Sequence, residues 1–170
     1  MAIFDSPSRR KFRNALLRWF DREKRDLPWR GETDPYRILV SEIMLQQTRV
    51  AVVKDRYKTF LRQFPTVSRL ARASENSVLA AWSGLGYYRR ARALHAAARH
   101  ICEAGRFPGS AVELAELPGI GRYTAAAVAS IAFGEPVAVV DGNVKRVLQR
   151  LSGRELSSDA YWQTAQDLLE

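Results

Sequence analysis

The sequence is short of cysteine and of long apolar segments, and each shortage excludes a class of protein. Cys102 is the single cysteine among 170 residues, so neither an internal disulfide nor a self-contained metal–thiolate cluster can form. No apolar run is long enough to cross a bilayer. The N-terminal residues lack the basic-then-apolar order of a secretory signal peptide. We therefore expect a globular protein of the reducing cytoplasm.

Acidic residues are also scarce relative to basic ones. The chain has 18 Asp and Glu against 27 Lys and Arg, which gives a formal charge of +9. Most of the basic residues are arginines, whose planar side chains form paired hydrogen bonds with phosphates and stack on bases. They are spread along the chain rather than gathered in a tail. This distribution favours a basic face that binds nucleic acid over an incidentally basic surface or an anionic membrane surface.

The hydrophobic pattern predicts an all-α protein, because no two strand patterns are joined by a hairpin turn. Thr48 is expected to cap the third helix. The last helix reaches the end of the sequence without a stop signal, so we expect a longer parent protein. Helices are predicted near residues 12–20, 36–45, 53–61, 67–73, 75–82, 88–104, 110–113, 124–132, 143–151 and 159–169.

A glycine-rich turn precedes the helix near 124–132. Gly119 and Gly121 flank one apolar residue, and Arg122 follows them. Two such glycines allow a tight turn, and the helix after it begins with exposed backbone N–H groups. A helix N-terminus carries partial positive charge, which suits a phosphate. We interpret this turn as a phosphate-binding hairpin.

Two isolated acids are candidates for chemistry. Glu42 is placed on the apolar side of its helix by its spacing from Ile38 and Leu45, where partial desolvation favours the protonated form. Asp141 comes just before a helix, where the ionised form is favoured. One carboxyl that holds a proton and one that stays charged divide the work of cleaving a glycosidic bond. The alternatives are a Glu paired with an arginine and an Asp that is an ordinary N-cap.

Further candidates lie on turns. Gln47 and Thr48 follow the Glu42 helix, and Tyr87 follows a Gly-Leu-Gly turn; on exposed loops they could wedge into a duplex while a base is flipped out. The alternative for the tyrosine is packing. Trp29 and Arg30, in a loop broken by proline, could contact a flipped base, although the Trp could also be a hydrophobic plug.

The helix after Tyr87 is rich in arginine and also contains both histidines. Arg89, Arg90 and Arg92 fit phosphate contacts or a solvated helix face. His95 and His100 have no acidic or thiol neighbours at ligand spacing, so neither is predicted to bind a metal.

Together these motifs resemble the helix-hairpin-helix superfamily of base-excision DNA glycosylases, and within it the MutY-type adenine glycosylases. The resemblance runs in one register from about residue 19 to 151. Four stretches within it resemble the MutY type, and these are LPWR at 27–30, SEIMLQQT at 41–48, W-x-GLGYY at 82–88 and DGNVKRV at 141–147.

The resemblance implies catalytic roles for four residues. Glu42 would protonate the adenine ring, and Asp141 would stabilise an oxocarbenium ion or a covalent sugar intermediate. Asn143 would orient these groups and the water. Tyr123 would lie near the sugar; endonuclease III-type relatives have a lysine nucleophile at this position, so this chain is expected to be a monofunctional glycosylase.

The resemblance also implies residues that bind double-stranded DNA containing adenine opposite 8-oxoguanine or guanine. Gln47 and Tyr87 would intrude beside the oxidised guanine, with Leu45 and Thr48 next to them. Arg30 and Trp29 would line the adenine pocket. Gly119, Gly121 and Arg122 would hold a phosphate.

The fold implied is a six-helix, barrel-like lobe with a partial second helical lobe formed by the chain ends. The expected domains are residues 1–30, which pack with the second lobe, residues 31–138, which contain the hairpin at about 112–133, and residues 139–170. Relatives of this type hold a [4Fe-4S] cluster on four later cysteines, which this chain lacks. We expect a monomer associated with the nucleoid. Two alternative functions are a thymine mismatch glycosylase of the same superfamily and a non-catalytic helix-hairpin-helix module that binds DNA.

Overall fold

The computed structural model describes residues 6–169, and the regular secondary structure of that range is entirely helical. The all-α prediction is confirmed. The helices are α1 (Ser6–Glu23), α2 (Pro35–Leu45), α3 (Val50–Gln63), α4 (Val67–Ala71), α5 (Glu75–Ala81), α6 (Arg89–Glu103), α7 (Ala111–Ala115), α8 (Arg122–Phe133), α9 (Gly142–Ser152) and α10 (Ser158–Asp167). These helices are too short or too polar to span a bilayer.

Side-chain caps explain where several helices begin. The carboxylate of Asp34 accepts hydrogen bonds from the first amides of α2, and Pro35 follows it in the first turn, where its missing N–H costs nothing. The prediction that Thr48 caps α3 is wrong. Arg49 occupies the N-cap position without a side-chain bond, because the hydroxyl of Thr48 instead lies near the carbonyls of Gln46 and Leu85.

The chain forms two compact units. One comprises Leu27–Glu135 and the other comprises Met1–Asp26 with Pro136–Glu170. In the unit Leu27–Glu135, α2 packs against α3, α6 and α8. Both faces of α2 are largely apolar, and its buried side chains include Ile38, Leu39 and Met44. A helix buried in this way gives a rigid base for any polar side chain that it presents.

In the other unit, α9 packs against α10 around a small core of Val140, Leu148 and Tyr161. The guanidinium of Arg9 on α1 donates to the carbonyl of Asp167, at 2.8 Å. The division into functional domains at residues 1–30, 31–138 and 139–170 stays a prediction.

His95 on α6 gives the unit Leu27–Glu135 a pH-dependent stability. Its side chain is 3% exposed, and its Nε2 has no hydrogen-bond partner. Burial lowers the pKa of His95, and the charge of Arg99 lowers it further. Hydrogen bonds with the backbone of Ala71 and Ala73 and the charge of Glu75 raise the pKa, but by less. The neutral imidazole is therefore the folded form.

We expect the free energy of unfolding to fall as the pH drops below about 6.5, because the unfolded chain then binds a proton that the folded chain excludes. The slope from this residue is at most about 1.4 kcal/mol per pH unit. Urea unfolding between pH 5 and 8 checks this. His95→Gln should flatten the acid slope, and His100→Gln, at an exposed position on the same helix, should leave it unchanged. Equal slopes in the wild type and His95→Gln would contradict the assignment.

Candidate active site

Glu42 and Tyr123 are brought together by the packing of α2 on α8. Both side chains are half-buried, and the Tyr123 hydroxyl donates to Oε2 of Glu42 at 3.0 Å. One turn later on α2, Nε2 of Gln46 donates to Oγ1 of Thr124 at 3.1 Å. Residues four apart share one helix face, so Glu42 and Gln46 both point at the start of α8. This pair of hydrogen bonds orients the carboxyl.

The glycine-rich turn leads directly into α8. Gly119 has a φ of +74°, a conformation that favours glycine. Gly121 is the N-cap of α8 and has no side chain with which to cap it, and Arg122 begins the helix on the exposed surface. The turn thus presents backbone N–H groups and a basic side chain at a positive helix end.

We expect Gly119→Ala to destabilise the protein by roughly 2 kcal/mol or more. A Cβ at this position would lie 2.5 Å from the Cβ of Ala93 on α6, and the positive φ adds backbone strain. The matched control is Gly121→Ala, because its Cβ would meet nothing within 4 Å and its φ of −88° suits any residue. Urea unfolding of both variants checks the prediction, which fails if the two lose similar stability.

Asp141 and Asn143 lie together at the N-terminus of α9, in the unit that contains the chain ends. Oδ1 of Asp141 accepts from the amide of Val144 at 2.7 Å, and Oδ2 accepts from Nδ2 of Asn143 at 2.8 Å. Oδ1 of Asn143 in turn accepts from Arg146. Both oxygens of the Asp141 side chain thus accept a hydrogen bond. Asp141 is therefore an N-cap, and Asn143 is oriented between it and a cation.

The position of Arg90 differs from both interpretations made from the sequence. It is only 6% exposed, so it neither contacts phosphate nor lies on a solvated face. Nη1 donates to the carbonyls of Ile43 and Met44, both at 3.0 Å, and to that of Gln46. Those carbonyls belong to the C-terminal turn of α2 and its cap, where they have no partner within the helix. A cation there also suits the helix dipole.

The second guanidinium nitrogen of Arg90 reaches a different loop. Nη2 donates to the carbonyls of Leu85 and Gly86, at 3.0 and 3.2 Å, and to the hydroxyl of Thr48 at 3.0 Å. Burial lowers the pKa of Arg90, with Arg89 contributing, yet arginine stays charged near neutral pH. The signal for this burial was present in the sequence, because Arg90 precedes Leu94 and Ala98 at four-residue intervals on the apolar side of α6.

Gln47 and Tyr87 follow the carbonyls that Arg90 binds. Both are exposed, and both have a positive φ, 54° and 48° respectively. Among the described residues, Gln47 and Tyr87 are the two non-glycine residues with a positive φ. Such a conformation costs roughly 1–2 kcal/mol for an L-residue, so the surrounding contacts must hold it.

The remaining predicted DNA-binding residues are Leu45, Trp29 and Arg30. Leu45 is the last residue of α2 and is half-buried. The ring of Trp29 is half-buried and packs edge-on against Tyr57, with centroids 5.5 Å apart. Arg30 follows it and is exposed. The roles of all three in binding stay predictions.

The residues present do not fit an iron–sulfur cluster. Such a cluster needs about four thiolate ligands, and Cys102 is the single cysteine of the sequence. Within residues 6–169, no group of three or more His, Cys, Asp or Glu side chains is arranged to hold a metal ion.

Comparison with known proteins shows the family. Residues 40–170 match the family described as HhH-GPD superfamily base excision DNA repair protein. Human adenine DNA glycosylase is 46% identical over 176 residues, covering 94% of this chain and 32% of that protein. The adenine DNA glycosylase of Mycobacterium tuberculosis is 48% identical over 138 residues, covering 79% of this chain and 45% of that protein. The solved structure of a thermostable thymine-DNA glycosylase aligns with a TM-score of 0.86 at 30% identity, covering 96% of this chain and 80% of that one.

The chain belongs to the HhH-GPD superfamily of base excision DNA repair proteins. The predicted helix-hairpin-helix fold and the resemblance to MutY-type glycosylases are confirmed. The chain spans about a third of the length of human adenine DNA glycosylase.

Proposed function

We propose that this protein is a monofunctional DNA glycosylase that hydrolyses the N-glycosidic bond of adenine mispaired with 8-oxoguanine or guanine. The adenine substrate is supported by relatives named adenine DNA glycosylase, which share 46% and 48% identity with the chain. The thymine-DNA glycosylase structure shares 30%.

The hydrogen bond between Tyr123 and Glu42 carries the proposal. It holds a half-buried carboxyl beside the hairpin, where a base flipped from the duplex would meet it. Glu42 donates a proton to an adenine ring nitrogen as the bond to the sugar breaks, so that the base leaves neutral.

Asp141 acts on the sugar. As the base departs, positive charge develops on the ring oxygen and C1′, and a carboxylate stabilises it as an ion pair or by a transient covalent bond. Water then adds its hydroxyl to C1′, which breaks the bond to Asp141 where one has formed. The proton of the water goes to the Glu42 carboxylate and restores the acid. The Asn143 amide, oriented by Arg146, holds Asp141 and the water in place.

The proposed partner is double-stranded DNA. The N–H groups of Gly119 and Gly121 and the side chain of Arg122 bind a backbone phosphate. Gln47 and Tyr87 enter the duplex beside the base opposite adenine, supported by Leu45 and Thr48. Trp29 and Arg30 contact the flipped adenine. The protein works as a monomer at the nucleoid.

An excision assay tests this proposal. The purified chain is incubated, in excess, with end-labelled duplexes that contain A:8-oxoguanine, A:G, T:G or A:T, and abasic sites are revealed with hot alkali. We expect excision from A:8-oxoguanine and A:G. Without alkali the strand stays intact, because Tyr123 cannot form a Schiff base.

The other outcomes separate the alternatives. Release of thymine from T:G identifies a thymine mismatch glycosylase. Binding of every duplex without base release identifies a helix-hairpin-helix binding module, and either result overturns the proposal.

A further inference from the structure

Two separate loops of the unit Leu27–Glu135 form hydrogen bonds with the same buried side chain, that of Arg90. One loop follows α2 and contains Gln47; the other precedes α6 and contains Tyr87. The carbonyls just before these two residues, those of Gln46 and Gly86, both accept hydrogen bonds from the Arg90 guanidinium. The Cζ of Arg90 also lies 5.4 Å from the centroid of the Tyr87 ring, within the range of a cation–π contact.

The residues that follow the two Arg90-bound carbonyls are also the ones with a strained backbone. Gln47 and Tyr87 are the two non-glycine positive-φ residues of the described chain, and each returns to an ordinary conformation if its neighbours release it. Contacts to both backbones converge on Arg90. Two further hydrogen bonds support the same loops, because Nε1 of Trp82 donates to the carbonyl of Gly86 at 3.2 Å and the Thr48 hydroxyl donates to that of Leu85 at 3.4 Å.

We propose that Arg90 is a positioning residue that locks Gln47 and Tyr87 into one fixed arrangement, so that the base opposite the excised adenine is read by both side chains as a unit. The inference rests on the proposed function. Arg90 itself is buried and does not touch the substrate.

Arginine suits this position because its two Nη atoms diverge in one plane. One serves the end of α2 and the other serves the loop at 85–86. A lysine carries its donors on a single nitrogen and cannot span both sets of acceptors. Arg90→Lys should therefore keep the buried charge but release one loop from the other.

The first test measures reading of the opposite base. Single-turnover excision is compared for adenine opposite 8-oxoguanine and opposite cytosine. In Arg90→Lys we expect the ratio of the two rates to fall by about tenfold or more, since residues in one network are strongly coupled. The control is Arg99→Lys, the same change at an exposed position of α6, which should retain the ratio. In a Gln47→Ala background, Arg90→Lys should reduce the ratio little further.

The second test needs no DNA and so stands if the proposed function fails. Amide hydrogen exchange is followed by NMR in the wild type and in Arg90→Lys. We expect exchange at residues 47–48 and 87–88 to accelerate together, while the amides of α8 keep their protection. Thr48→Val, which removes one acceptor of Nη2, should produce a smaller acceleration at both loops and serves if Arg90→Lys does not fold.

Acceleration at one loop only overturns the proposal, as does an unchanged rate ratio when both loops have loosened. Additive losses in the Gln47→Ala background also overturn it. A wild type that releases no adenine refutes the proposed function, while the exchange result still decides whether Arg90 couples the loops.

Discussion

Asp141→Asn should lower single-turnover adenine excision by at least about 10³-fold, because the variant loses the negative charge that faces the developing oxocarbenium ion. Its stability should fall by no more than about 1 kcal/mol, because Asn is as good an N-cap as Asp and the variant loses only the exposed hydrogen bond from Nδ2 of Asn143. The Asn Oδ1 can still accept from the amide of Val144. DNA binding should be largely preserved. Excision rates, mispair binding and urea unfolding, measured on one preparation, separate these effects.

The control for this substitution is Asp34→Asn. Asp34 is the N-cap of α2 and accepts from the amide of Tyr36 at 2.8 Å, so the same chemical change is made at a second helix start. Excision should be unaffected there. If Asp141→Asn excised adenine at the wild-type rate, Asp141 would be a cap and nothing more.

Glu42→Gln should lower excision by about 10³-fold, the range expected when a general acid is removed. Gln is nearly isosteric and its Oε1 can still accept from the Tyr123 hydroxyl, so the contact between α2 and α8 is retained. The loss should appear in the excision rate and not in the free energy of unfolding. Single-turnover rates and urea unfolding of the variant check both expectations.

Two comparisons sharpen the result for Glu42. Tyr123→Phe removes the hydrogen bond to Oε2 but leaves the acid, so a loss of roughly tenfold is expected from poorer orientation. Glu75→Gln changes an exposed glutamate that pairs with Arg92 and should have no effect. A Glu42→Gln variant that excises adenine at the wild-type rate would remove Glu42 from the proton-transfer step.

The sequence was sufficient for features governed by local periodicity and local chemistry. The helix near 36–45 was predicted from its apolar spacing, and α2 occupies Pro35–Leu45. The side of that helix on which Glu42 lies also followed from spacing. The turn before α8 was recognisable because a positive φ favours glycine, and Gly119 has one. The catalytic roles stay predictions.

Contacts between distant segments were not predictable in this way. Arg90 was expected at the surface because it sits among other arginines, but three of the carbonyls it binds lie more than 40 residues away in the chain. The same network explains the error at Thr48, whose hydroxyl bonds with Arg90 instead of capping α3. Every residue type has the same main-chain carbonyl, so the sequence gives little indication of which carbonyls a buried arginine will bind.

The continuity of α2 limits how this protein can change its length during evolution. Glu42 lies within α2 and the loop at 46–48 follows its last residue directly. Each residue inserted or deleted between Glu42 and the end of the helix would rotate one relative to the other by about 100°. Glu42 would then leave Tyr123, or the loop would leave Arg90. Natural variation in length is therefore expected outside residues 42–48.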